Sequence, residues 1–97
     1  MSSHKDAINL ILSELIILDE YAQKISRLEG DKFKEMHNAI IERFNNKIKP
    51  IASNSTSKQI KYALYEINNK IENTGWMYNE FFRDEIGLLE ELLKLNA

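Results

Sequence analysis

Cysteine is absent, proline and tryptophan occur once each, and glycine occurs three times among the 97 residues. The missing thiols exclude disulfides, cysteine-ligated zinc, iron–sulfur clusters and thiol catalysis. They also fit a reducing compartment. The glycines, Gly30, Gly75 and Gly87, are scattered and leave no glycine-rich loop to cradle a phosphate. Histidine is scarce too. His4 and His37 are the two, and neither follows a glutamate by three positions. Di-metal helical bundles rely on that Glu-x-x-His spacing, so neither a metal nor a cofactor is expected. His37 borders an apolar seam and reads as a half-buried structural histidine, with a weak pH effect as its functional alternative.

Long apolar runs are missing as well. None approaches the ~18 residues of a membrane span. The first stretch is interrupted by Asn9, Ser13 and Glu14, which does not suit a secretory leader. The expectation is a cytoplasmic protein, and Asn54-Ser55-Thr56 then matches a glycosylation acceptor by chance. Ile, Lys and Asn are abundant, as in chains from AT-rich coding DNA, which suggests a bacterial or phage origin.

No serine lies in a nucleophile elbow. Paired carboxylates remain as a route to acid–base chemistry. Asp19 and Glu85 are the acidic residues that project toward apolar helix faces. Either they form a buried pair, or each sits at a rim and stays solvated. The second is the simpler reading. A buried acid would need a partner, for which Arg27, Lys24 or a tyrosine could serve. The expectation is a non-enzymatic protein.

What the chain does contain is helical patterning. An apolar share of 43% with 29% charged residues suits a single folded domain, residues 1–97, with one core. Ser3 and Asp6 make a capping box. Ile8, Ile11, Leu15, Leu18, Ala22 and Ile25 then recur in steps of three and four, the signature of a packed helix seam. Ile16 and Ile17 lie outside that seam. Gly30 reads as the stop and Asp31 as the cap of a second helix, lined by Phe33, Met36, Ile40, Phe44 and Ile48. Pro50 is expected to end it. Residues 50–56 read as a loop. Thr56 and Gln59 make a second capping box, opening a helix with the seam Ile60, Leu64, Ile67 and Ile71. A fourth helix carries Phe82, Ile86, Leu89 and Leu93, with Gly87 on its opposite side. The expected fold is all-α: a single-domain antiparallel four-helix bundle with helices near 3–29, 31–49, 57–73 and 76–96.

Two features point to a binding surface. Charge is segregated: residues 1–31 balance to −3, 32–70 to +5 and 71–97 to −4. In an up-down bundle one flank is then acidic and the other basic. Opposite charges can simply meet at helix boundaries, or Arg43, Lys47, Lys49, Lys58 and Lys61 can present a basic face. The second feature is Tyr62 and Tyr65, which project away from the third seam beside Lys58 and Asn69. Aromatics beside basic groups resemble protein–protein hot spots. Trp76 follows Gly75 and either staples the helix start or stands exposed. Met77, Tyr78, Phe81 and Phe82 read as interior packing.

The candidate partner-binding residues are therefore Lys58, Lys61, Tyr62, Tyr65, Asn69 and Trp76. The expected function is a small protein-binding module, of inhibitor, immunity or adaptor type, that occludes a partner protein. A homodimeric structural or assembly protein is the alternative. A nucleic-acid-associated regulator is less expected, since the chain is net acidic and the loop after Pro50 is too long for a helix-turn-helix. In size and helical form the chain is similar to bacteriocin immunity proteins and some phage-encoded inhibitors, a likeness of architecture that no motif carries.

Overall fold

The computed structural model describes residues 3–72 and 82–95. Among them every regular element is helical: α1 (Ser3–Ile25), α2 (Gly30–Arg43), a π turn (Phe44–Ile48), α3 (Lys49–Ser53), α4 (Lys58–Glu72) and α5 (Arg83–Leu95). The fold is a small all-α bundle. With α2, the π turn and α3 read as one arm, four arms surround one core. α1 packs on α2, the π turn, α3 and α5, while α4 packs on α3 and α5. The molecule measures 46 × 21 × 18 Å.

The seam of α1 is buried throughout. Ile8, Ile11, Leu15, Leu18, Ala22 and Ile25 are all closed to solvent, joined by Ile40, Phe44 and Ile48 from the second arm, Ile60, Ile67 and Ile71 from α4, Phe82 just before α5, and Leu89 from α5. Each fully buried Leu, Ile or Phe contributes about 1.5–3 kcal/mol of transfer free energy. Phe33, Met36, Leu64, Ile86 and Leu93 belong to the expected seams but stay half-buried. Ala63 and Leu92 are buried instead.

Four boundaries differ from the sequence expectation. α1 ends at Ile25, four residues early, in a turn where Arg27 N–H donates to Lys24 O and Leu28 N–H to Ile25 O. Gly30 does take the left-handed backbone, at φ 58°, but as the first residue of α2 rather than as the cap of α1. The N-cap position belongs to Glu29, which makes no side-chain capping bond. Asp31 is thus not the cap. It sits in the first turn, where its charge faces the positive end of the helix dipole.

Pro50 does not end the second arm. Lys49 N–H donates to Phe44 O, five residues back, which widens the helix by one residue. α3 then restarts with Pro50 in its first turn, where a missing N–H costs nothing. The expected loop 50–56 shrinks to residues 54–57. The wide turn has a packing cause. Ile40, Phe44, Ile48 and Ala52 are all buried, at strict four-residue steps. In a pure α-helix each such step drifts about 40°, so the fourth residue would leave the core. One wide turn brings it back.

The α4 cap also shifts by one residue. Ser57, not Thr56, holds the helix start: Ile60 N–H donates to Ser57 Oγ at 3.2 Å, and Ser57 N–H donates to Ser55 Oγ at 3.1 Å. Gln59 still takes part, since the Ser57 hydroxyl donates to its Oε1 at 3.1 Å. The Ser3 side chain of the first capping box, and Met77, Tyr78 and Phe81, lie outside the described residues.

Candidate docking surface

α4 is amphipathic in a specific way. Ile60, Ala63, Ile67 and Ile71 face the core. On the opposite side Lys58, Tyr62, Tyr65, Asn69 and Glu72 follow one another at steps of four, three, four and three, and all five are exposed. Lys61 is exposed beside them. Tyr62 is 58% and Tyr65 64% accessible, which leaves most of both rings in water. Five of the six candidate residues therefore share one surface. The sixth, Trp76, lies outside the described residues.

Beside Tyr62 a cleft of ≈ 320 Å³ runs between α4 and α5, lined by Tyr62, Glu66, Lys70, Asp84, Glu85 and Leu88. Lys70 Nζ donates to Glu85 Oε1 at 2.8 Å, and the Glu85 side chain is 5% exposed. Glu85 is thus buried and paired, with a lysine of the neighbouring helix. The simpler reading, that Glu85 would sit solvated at a rim, is corrected. Its partner is none of the groups expected, because the α4 face brings Lys70 over it from fifteen positions upstream. Asp19 is half-buried on α1. Its Oδ2 accepts from Gln23 Nε2 at 3.0 Å, while Oδ1 is enclosed without a hydrogen bond.

The segregated charge resolves into two parts. Arg43 of the basic segment is tied to α1, its Nε donating to Glu14 Oε1 at 2.7 Å. With Lys70–Glu85, that makes two cross-helix pairs between basic and acidic segments. Lys47, Lys49, Lys58 and Lys61 are exposed and have no ion-pair partner among the described residues. Internal complementarity uses Arg43 and leaves the four lysines as a basic surface across the π turn, α3 and α4.

The link 54–57 also bears on the nucleic-acid alternative. It is four residues long, so loop length no longer argues against a helix-turn-helix.

Elsewhere, Leu10, Ile16 and Leu95 are exposed singly, an ordinary feature of soluble folds. Ile17 is half-buried. His37 is half-buried and its ring stacks on Phe33, with centroids 6.2 Å apart. Burial holds its pKa below the usual histidine value. Among the described residues no cluster of three or more ligating side chains could hold a metal ion, and no helix is long and apolar enough to cross a membrane.

The tyrosine pair was found from wheel position alone. The cleft beside it was missed. Its signal was the acid Glu85 on the apolar side of α5 and Lys70 near the edge of the α4 seam. Comparison with family models, curated proteins and solved structures gave no match to this chain.

Proposed function

We propose that the protein is a small non-enzymatic binding module that acts by covering a surface of another protein with the outer face of α4. One observation carries the reading: two neighbouring tyrosines stand mostly in water on one helix face, flanked by Lys58 and Lys61, which have no ion-pair partner among the described residues. Tyrosine brings a large contact area with a polar tip and little rotamer entropy to lose. The helix is fixed by its core seam, so the face is presented without ordering cost. An inhibitor, immunity or adaptor role follows from occlusion, which needs no catalytic group. A cytoplasmic, bacterial or phage setting is part of the same reading.

The test is affinity capture from the native host with mass spectrometry, followed by binding of the recovered partner to variants. Tyr62→Ala with Tyr65→Ala is expected to abolish the complex while leaving helicity intact. Wild-type affinity in that double variant overturns the proposal. Retention on DNA or RNA that falls steeply with salt would instead mark Lys47, Lys49, Lys58 and Lys61 as phosphate contacts.

A further inference from the structure

The outer face of α4 is matched to itself. Its five residues are spaced as a second helix seam, outward, behind the inward seam that holds the core. Lys58 opens the helix and Glu72 closes it. Each lies seven residues from Tyr65, about 10 Å along the axis. Both are exposed and have no ion-pair partner among the described residues.

Both charges also have the wrong sign for their own helix. A lysine at the N-terminus and a glutamate at the C-terminus each oppose the helix dipole. Local helix stability therefore does not explain them. An antiparallel neighbour does, because it sets each charge beside the opposite charge and the opposite dipole end. A two-fold axis at Tyr65 produces that arrangement twice from one surface, as an isologous contact requires. The same operation brings Lys58 toward the cleft of the other copy, where Glu66 and Asp84 carry negative charge beside Tyr62.

We propose that a second copy of this chain docks antiparallel on the outer face of α4, with the tyrosines at the centre and Lys58 of each copy against Glu72 of the other. The inference rests on the reading of this face as a docking surface and adds its regulation: self-association hides the tyrosines that a partner protein needs. One helix face lies at the small end of specific interfaces, below about 1,200 Å². The dimer is accordingly reversible, with a dissociation constant of about micromolar or weaker.

Sedimentation equilibrium of the full chain between about 10 μM and about 1 mM tests it. The wild type is expected to show a monomer–dimer equilibrium. Lys58→Glu and Glu72→Lys should each raise the dissociation constant about three- to tenfold. The combined swap should return it to within about twofold of wild type. Tyr62→Ala with Tyr65→Ala should leave only monomer. Each single swap improves the match to the α4 dipole, so thermal stability measured alongside should hold or rise, separating a weakened dimer from a damaged fold. A strictly monomeric wild type overturns the self-association and leaves the partner reading to its own tyrosine test. A dimer indifferent to the tyrosine variant places the contact elsewhere and overturns the inference. Single swaps that weaken the dimer without rescue by the combination overturn the antiparallel pairing.

Discussion

Lys70 Nζ stands 2.8 Å from Glu85 Oε1, and this contact fastens α4 to α5 at the floor of the cleft beside Tyr62. The acidic member is almost withdrawn from water, whereas the lysine side chain keeps 26% of its surface exposed. The pair is therefore asymmetric. Losing the lysine strands a buried charge, while losing the acid leaves a lysine that water can reach.

Lys70→Met is expected to destabilise the protein by about 1–3 kcal/mol, because Glu85 is left without its counter-charge. Lys70→Met combined with Glu85→Leu should recover most of that loss, since apolar replacements pack in the same space. Urea unfolding midpoints of the two single variants and the double variant check this. A double-variant loss equal to the sum of the two single losses would show that the pair is not coupled.

The glycines give opposite expectations for one substitution. At Gly87 a Cβ would meet no heavy atom within 4 Å. Gly87→Ala should therefore stabilise α5 by about 0.5–1 kcal/mol through helix propensity alone. Gly30 also has room, but its φ of 58° is strained for any side chain. Gly30→Ala should cost about 1–2 kcal/mol. Thermal unfolding of both variants decides, and a loss on Gly87→Ala would reveal a contact at that face.

The cap of α4 can be located by two alanines. Ser57→Ala should cost about 1 kcal/mol, because the Ile60 N–H loses its acceptor. Thr56→Ala, exposed and without a capping bond, should fall within about 0.5 kcal/mol of wild type. The reverse order would return the cap to Thr56.

His37 predicts a direction with pH. Its folded pKa is lowered by burial, so the unfolded chain binds the proton more readily. Its stability contribution is complete above the unfolded value of about 6.5 and is lost as pH falls through the folded pKa. His37→Phe should keep the packing on Phe33 and flatten the fall in melting temperature between about pH 7 and about pH 5. An unchanged slope would assign that fall to carboxylates instead.

Most of the core was legible because its pattern is one-dimensional. Ile8 through Ile25 alternate threes and fours, and all six are buried. The second arm was misread although its signal was present. Ile40, Phe44, Ile48 and Ala52 step by strict fours, a drift of about 120° that takes the fourth off the face of a straight α-helix, and Pro50 falls within the last step. Read together, they announce a wide turn and a restart, not an end. The cap at Ser57 was ambiguous because Ser55, Thr56 and Ser57 all carry hydroxyls that could serve. The exposure of Tyr62 and Tyr65 followed from position on one helix. The Lys70–Glu85 pairing did not, since it depends on how two helices are rotated against each other.

The π turn uncouples length from direction. It lodges one extra residue inside a helix, where most proteins carry such insertions in loops. Removing Asn45 or Asn46, both exposed, would let the arm rewind as a plain α-helix. Ala52 would then follow Ile40 by eleven residues in place of twelve, about 20° from it around the axis, and would stay in the core. The link at 54–57, and with it the face of α4, would keep its direction. One of two solvent-facing asparagines is thus a spare link that the arm takes up sideways, and its loss should shorten the arm without turning it.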